Sequence, residues 1–274
     1  MTKSPPAIAV LLPSYNPGPE LTGTLNSLRV QSMPFRLFLI DDGSKSHTDY
    51  EKLTNGMDVQ IIRLPKNLGI TGAMNAGLAE ILKGNFPYIA RIDCGDFCTP
   101  DRFAKQLDWL ETHQDVAILG SAVELHLFNA ANELTAKFPL HFPVTPEDCR
   151  NRLPFNCPAS HPAMMIRRRV FERLKGYSED YPAAEDFDLM WRASTAGFNI
   201  ANLDDVLLIK EETPGSISQK RRSQQIYSRM RIQWANRNVF SPRCWIGLAK
   251  SVITLMTPAT VATALKSAML RTSL

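Results

Sequence analysis

Four short apolar runs within the first hundred residues, Ala7–Leu12, Arg36–Ile40, Val59–Leu64 and Tyr88–Ile92, most constrain what this chain can fold into. Each is rich in β-forming residues, bounded by turn residues and no longer than a buried strand. Between them, Pro19–Gln31 and Gly69–Leu82 place apolar residues at helical intervals, with Pro17, Pro19, Gly69 and Gly72 marking the helix starts. Such alternation predicts an α/β fold with a doubly wound, mainly parallel sheet and right-handed crossovers. Sheets of this kind hold their ligands beyond the carboxyl ends of the strands, so the residues that follow each strand are the first to inspect.

Those residues are polar. Pro13-Ser14-Tyr15-Asn16 follows the first run, Asp41-Asp42-Gly43-Ser44 the second and Asp93-Cys94-Gly95-Asp96 the fourth. No GxGxxG follows the first strand and no GxxxxGK[ST] occurs, which argues against a dinucleotide-binding Rossmann domain and a P-loop. Further on, Ala117–Leu140 reads as one or two strands with a turn at Asn129–Asn132. Ser160-His161-Pro162 leads into an apolar strand, Ala163–Ile166, and then a short helix ending at Gly176. Pro182-Ala183-Ala184-Glu185-Asp186 opens a strong helical pattern that stops at Gly197, and a β-like run, Val206–Ile209, precedes a basic tail.

The 274 residues suffice for one large domain with a tail. From Thr213 to Leu274 there are Lys and Arg residues but no Asp or Glu, so the basic charge belongs to the tail, while the rest is net acidic. Five cysteines without a disulfide framework or a paired CxxC predict free thiols and a reducing, cytoplasmic location. Cys94 and Cys98 lack the second pair that a zinc site would need.

Taken in series, Leu12-Pro13-Ser14-Tyr15-Asn16, Ile40-Asp41-Asp42-Gly43-Ser44, Asn67-Leu68-Gly69 with Asn75-Ala76-Gly77, Arg91-Ile92-Asp93-Cys94-Gly95-Asp96 with Pro100-Asp101-Arg102-Phe103, and Ala184-Glu185-Asp186 resemble the family 2 glycosyltransferases of GT-A fold. Each motif is weak alone, and the resemblance lies in their order and spacing over residues 7–212. It implies a GT-A-like catalytic domain at 1–212, with a nucleotide-sugar half to about 115 and an acceptor half from about 116, and a basic helical C-terminal region at 213–274. The activity implied is inverting transfer of a sugar from a UDP-, dTDP- or GDP-linked donor to a hydroxyl of a glycan or lipid-linked acceptor in surface polysaccharide synthesis.

Inverting transfer needs a nucleotide pocket, a cation against the leaving diphosphate and a carboxylate to take the proton of the attacking hydroxyl. For the nucleotide sugar the candidates are Pro13, Tyr15, Asp42, Asn67, Asn75, Arg91 and Asp93. Tyr15 can stack on a base, and Asp42, by family resemblance the base-side contact, can accept from a ring N–H or the ribose; a plain strand-closing turn is the alternative for Asp42. For Mg²⁺ or Mn²⁺ the candidates are Asp93 and Asp96, oxygen donors of the kind such ions prefer. Here the chain departs from the family's Asp-x-Asp-Asp run, because Gly95 stands in place of the middle Asp. For the base the resemblance implies Asp186, with Glu185 orienting the acceptor, although acidic residues also favour helix N-termini for dipole reasons alone. His161 is a candidate on the acceptor side or a structural histidine. Arg91 and Arg102 can pair with diphosphate or with neighbouring carboxylates.

In the tail, Gln219–Arg237 is a basic helical pattern. Trp245–Leu270 is apolar but broken by Lys250, Pro258 and Lys266, too short a run for the ~20 residues of a spanning helix. Residues 219–270 are expected to lie on a membrane surface, making the protein peripheral at the cytoplasmic face, or to pack on the domain. Nucleic acid is not expected as a partner, since an acidic pocket repels phosphate. Two rivals remain, a sugar nucleotidyltransferase and a non-catalytic nucleotide- or glycan-binding module. The first would carry a basic Gly-rich loop after the first strand, and Pro13–Glu20 contains no Lys or Arg.

Overall fold

A computed structural model describes residues 6–45, 48–213 and 221–257. The first half follows the expected alternation: β1 (Ile8–Ser14), α1 (Glu20–Arg29), β2 (Phe35–Asp41), α2 (Tyr50–Leu53), β3 (Val59–Arg63), α3 (Gly69–Ile81) and β4 (Tyr88–Arg91). β1 pairs with β2 and β4, and β2 with β3, all parallel, giving the order β3-β2-β1-β4. β1 is buried along its whole length. Its alternate residues serve two separate cores, Ala9 and Leu11 on one face, Ile8, Val10 and Leu12 on the other, as a sheet covered by helices on both sides requires. α3 covers the first face, and α1, through Leu21, Leu25 and Leu28 at helical spacing, covers the second. Gly77 lets α3 lie directly on the strands, since a Cβ there would stand 2.4 Å from Leu11 Cδ1 and 2.6 Å from Ile40 Cδ1.

The second half is built differently. After β5 (Asp96–Cys98) and α4 (Arg102–Thr112) come β6 (Val116–Phe128), β7 (Leu134–Leu140), α5 (Pro146–Arg152), a 3₁₀ turn (His161–Ala163), β8 (Met165–Arg167), α6 (Arg168–Leu174), α7 (Glu185–Thr195) and β9 (Asn199–Glu212). β8 joins β4 to β6 antiparallel on both sides; β7 pairs antiparallel with β6 and β5 with β9, whereas β6 and β9 run parallel. The nine-stranded sheet is therefore mixed: β1 to β4 pair with one another only in parallel, and every antiparallel pairing involves β5, β7 or β8. Short β5 and the entire length of β9 go beyond the sequence expectation, which saw only Val206–Ile209 of the latter.

Two helices follow, α8 (Arg222–Ala235) and α9 (Pro242–Met256). They pack on the segment that follows α5: Gln233 Nε2 donates to the Pro154 carbonyl at 2.8 Å, and Gly247 sits so close to that carbonyl that a Cβ would meet it at 2.0 Å. Among the described residues no helix is long and apolar enough to cross a membrane. The tail residues 219–220 and 258–270, with Pro258 and Lys266, lie outside the described residues.

Candidate active site

At the carboxyl ends of β1 and β2 the backbone is locked by its own polar side chains. Asn16, at φ 44°, donates its N–H to Ser44 Oγ and accepts from Lys45 N–H with its side chain, both at 2.8 Å, so the two loops are tied together. Asp41 accepts from Ser44 N–H at 3.0 Å. The Asp42 N–H donates to the Ser14 carbonyl, and the Asp42 carboxylate accepts from Leu68 N–H at 2.7 Å, holding the start of α3. Burial pushes the Asp42 carboxyl up, against the lowering effect of the Leu68 and Gly69 N–H groups. Pro13 is buried inside β1, Asn67 is exposed and caps Gly69 N–H, and Tyr15 leaves the strand end 45% exposed, free to meet a planar ligand. Asp42 and Asp93 follow strands on either side of β1, two strand spacings or about 10 Å apart.

Asn75 behaves differently from a ligand contact. Its amide is engaged on both sides by Tyr177, accepting from the Tyr177 N–H and donating to its carbonyl, each at 2.9 Å. It joins α3 to the loop between α6 and α7.

The fourth strand end carries the charge. Arg91 is 2% exposed and its guanidinium is turned inward, donating to the Asp93 carboxylate, the Ile92 carbonyl and Met74 Sδ. It therefore orients Asp93 and does not reach out to a diphosphate. Arg102 is fully buried, donating to the Arg91 and Met164 carbonyls and to Gln106, and is a core residue. Residues 93–96 form a turn closed by Asp96 N–H to the Asp93 carbonyl. Gly95 takes φ 96° at its third position, where a side chain is disfavoured, so glycine in place of the family's aspartate has a backbone cause.

Asp96 is 4% exposed, and its Oδ2 has no hydrogen-bond partner among the described residues. Burial drives its carboxyl up to about 7, with Asp93 adding to the rise and Lys210 opposing it. Lys210 lies directly across from Asp96 in the β5–β9 ladder. Burial disfavours its charge, but the carboxylates of Asp96, Asp93, Glu212 and Asp186 outweigh this and raise it above the ordinary lysine value. Burial likewise raises Asp93, but Arg91, Lys210 and His161 prevail and hold it below the usual carboxylate range.

α7 brings the other carboxylates to the same place. Ala183, just before it, has φ 61°, a left-handed conformation costly for a residue with a Cβ. Burial and the neighbouring Asp186 carboxylate push Glu185 up to about 7, and its buried Oε2 has no partner among the described residues. Asp186 accepts from Phe187 N–H at 2.7 Å and from the Cys157 thiol at 3.7 Å. His161 is buried in the 3₁₀ turn with its Nε2 2.8 Å from Tyr177 Oη. Burial and the Arg91 guanidinium push the imidazole down to about 4, which keeps it neutral, although Asp186 and Asp93 pull the other way.

Asp93, Asp96, His161, Glu185 and Asp186 thus share one electrostatic neighbourhood, centred on Arg91 and Lys210. Tyr15, Asp42 and Asn67 lie along the adjoining strand ends, and Pro13 and Asn75 serve as framework. Lys210, Tyr177 and Cys157 were not singled out in the sequence; the only signal for Lys210 was its place one residue beyond a β-like run. The orphaned buried Oδ2 of Asp96, beside the Asp93 carboxylate, suits a hard divalent cation that takes its remaining ligands from a diphosphate and water. Among the described residues no group of three or more His, Cys, Asp or Glu gathers as a metal cage.

The sequence profile described as Glycosyl transferase family 2 matches residues 9–175. The chain is 32% identical over 206 residues to the amylovoran biosynthesis glycosyltransferase AmsE of Erwinia amylovora, covering 73% of this chain and 74% of that one. It is 27% identical over 215 residues to the UDP-Gal:alpha-D-GlcNAc-diphosphoundecaprenol beta-1,3-galactosyltransferase of Escherichia coli, covering 76% and 75%. Its fold is similar to that of S. aureus TarS 1–349 in complex with UDP-GlcNAc (TM-score 0.64, 17% identity, 89% of this chain and 71% of that one). It is similar also to the mannosyltransferase PcManGT of Pyrobaculum calidifontis in complex with GDP-Man and Mn²⁺ (TM-score 0.62, 16% identity, 98% and 81%). With a GT-A-like sheet, the ordered motifs and a profile match over more than half its length, the chain belongs to glycosyl transferase family 2 and is a glycosyltransferase.

Proposed function

We propose that the protein transfers a sugar, with inversion, from a UDP-, dTDP- or GDP-linked donor to a hydroxyl of a glycan or lipid-linked acceptor in surface polysaccharide synthesis. The observation that carries this reading is the gathering of Asp93, Asp96, Lys210, His161, Glu185 and Asp186 around one spot at the strand ends. The nucleotide lies along β1 and β2, with Tyr15 on its base and Asp42 and Asn67 at the polar edges. Its diphosphate points toward Asp93, Asp96 and Lys210. A Mg²⁺ or Mn²⁺ ion bound by Asp93 and Asp96 would supply charge neutralisation for the leaving diphosphate.

Asp186 accepts the proton of the acceptor hydroxyl as that oxygen attacks C1 of the donor and the C1–diphosphate bond breaks. Glu185, protonated below about pH 7, orients the acceptor. Arg91 fixes the Asp93 carboxylate, and the Lys210 ammonium meets developing negative charge on the leaving group. Neutral His161, held by Tyr177, forms the acceptor-side wall. α8 and α9 place Trp234, Trp245, Ile246, Ile253 and Met256 on the surface among Arg and Lys residues, which supports a peripheral seat at the cytoplasmic face of a membrane.

Release of nucleoside diphosphate from a panel of UDP-, GDP- and dTDP-sugars, measured without acceptor, tests the chemistry. Asp186→Asn should lower it about 100-fold or more, while thermal-shift stabilisation by the matching donor, dependent on Mn²⁺, persists. Equal rates in the two proteins, or stabilisation indifferent to Mn²⁺, would overturn the assignments of Asp186 and of Asp93 with Asp96, respectively.

A further inference from the structure

Between α8, α9 and the loop ahead of α7 lies a groove of about 440 Å³ that sugar transfer itself does not use. Tyr181, Tyr227, Met230, Trp234, Leu248 and Val252 give it apolar walls, and Arg231 supplies the cation. Its volume falls in the range of sites for small organic ligands, roughly 300–1,000 Å³. Trp234 is 51% exposed and Tyr227 59% exposed, an unusual cost for a surface with no partner.

The groove shares a chain segment with the acceptor side of the active site. Tyr181 lies in the loop that ends at Glu185 and Asp186. That loop is stitched to α8 by Ser228 Oγ donating to the Pro182 carbonyl at 2.8 Å and by Arg231 donating to the Asp180 carbonyl at 2.9 Å. Arg231 also lies 5.0 Å over the Tyr181 ring. Arg222 bonds the Thr254 carbonyl at 2.9 Å and so ties α8 to α9 at the far end. No Asp or Glu occurs from Thr213 to Leu274, so the α8 and α9 walls carry only cations, with Arg231 facing the loop that holds Glu179 and Asp180.

The geometry points to this groove as the seat of the hydrocarbon chain of a phosphate-linked lipid acceptor, whose anionic head meets Arg231 and whose sugar then reaches Asp186. The assignment deepens the proposed function and rests on Asp186 as the acceptor's base. An apolar chain explains the apolar lining, the anionic head explains a cation at Arg231 on helices without acidic residues, and the shared loop explains why both lie next to α7.

Calorimetric titration of the full chain with farnesyl diphosphate, farnesol and inorganic diphosphate tests it. The prenyl diphosphate should bind about tenfold or more tighter than either fragment. Ala235→Phe, which fills the groove, and Val252→Glu, which charges its wall, should each weaken that binding about tenfold, and Arg231→Ala should reduce its advantage over farnesol. Equal affinity for farnesyl diphosphate and inorganic diphosphate, or no binding by the wild type, overturns the proposal. So does parallel loss of prenyl-diphosphate binding and of co-sedimentation with anionic vesicles in Ala235→Phe, since the occupant would then be the bilayer. A wild type that binds the prenyl diphosphate yet hydrolyses no donor would sink only the active-site reading; one that hydrolyses donor yet ignores the prenyl chain would sink only this one.

Discussion

At the carboxyl ends of β1 and β2 the side chains of Asn16, Asp41 and Asp42 are satisfied by backbone N–H groups, with Ser14 Oγ buried and unpaired among them, whereas around β5 and α7 buried carboxylate oxygens stand without partners. Asn16, Asp41 and Asp42 all spend their side chains on backbone N–H groups within three adjoining loops. Asp96 Oδ2 and Glu185 Oε2, by contrast, are buried and unpaired, and both carboxyls are pushed up to about 7. A satisfied polar network is rigid, and an unsatisfied buried charge is unstable until something else completes it. On the proposed assignment, the nucleotide side is a preformed cradle, and the reacting side holds groups whose remaining partners are to come from the ligand. Substitutions should separate the two regions, because loss of a cradle residue removes stability and loss of a reactive residue removes turnover.

Lys210 provides the largest contrast after Asp186 itself. It is the cation among Asp96, Asp93, Glu212 and Asp186, placed there by the β5–β9 pairing. Lys210→Met should lower donor turnover about 100-fold, the usual loss when one charge-stabilising donor is removed from a reaction centre, and should weaken inhibition by the nucleoside diphosphate product in step. Lys210→Arg should recover most of both. A variant with normal turnover and a lowered melting temperature would move Lys210 from the reactive group to the framework and blur the contrast.

Asn75→Ala works from the other side. It leaves the Tyr177 N–H and carbonyl without their partners, so a loss of about 2 kcal/mol in chemical denaturation is expected. Turnover measured well below the melting temperature should fall by less than about tenfold, through His161, which Tyr177 positions. A turnover loss as large as that of Lys210→Met, with stability intact, would place Asn75 in contact with substrate.

How much of this was legible in the sequence follows the same divide. Asp42, Asp93 and Tyr15 stand at ends of parallel strands whose apolar runs are unambiguous, and the rule that ligands gather at those ends finds them directly. Lys210 was not legible, because its meeting with Asp96 depends on β5, three residues that carry no periodicity, pairing with a strand far along the chain. Tyr177 was hidden for another reason: Asn75 recognises its backbone, which no residue type advertises. For Arg91 the sequence left diphosphate and neighbouring carboxylates as alternative partners, and burial turns the guanidinium onto Asp93. Glu185 and Asp186 were proposed through the family's motif, and the structure places them at the start of α7; the strain at Ala183 ahead of that helix could not be seen in an alanine.

Glu185 tests the idea of unsatisfied charge through pH. Its folded value of about 7 lies above the ordinary glutamate value of 4.5, so the folded state holds the proton more tightly than the unfolded chain does. The stability this contributes is complete below pH 4.5 and is lost as pH rises through about 7. Glu185→Gln removes the titration. The wild type should therefore lose more melting temperature than the variant between pH 4.5 and 7.5, with the two curves parallel outside that window. Parallel curves throughout would mean that Glu185 is paired as well as the cradle residues are.

The smallest effect is expected at Ala183, where two terms of similar size oppose each other. Its φ of 61° costs an alanine about 1–2 kcal/mol that a glycine would not bear. Glycine in turn frees the unfolded chain, at a cost of about 0.4–1 kcal/mol. Ala183→Gly should thus leave stability within about 1 kcal/mol of the wild type, shifted upward if at all. Its consequence for turnover has a definite sign, because the residue sets the direction in which the chain enters α7 and so where Glu185 and Asp186 point. A freer backbone there should lower acceptor-dependent turnover a few-fold while leaving donor binding in the cradle untouched. If turnover instead rose with stability, the left-handed turn would be a burden that the acceptor side merely tolerates, and rigidity would no longer distinguish the cradle from the reactive cluster.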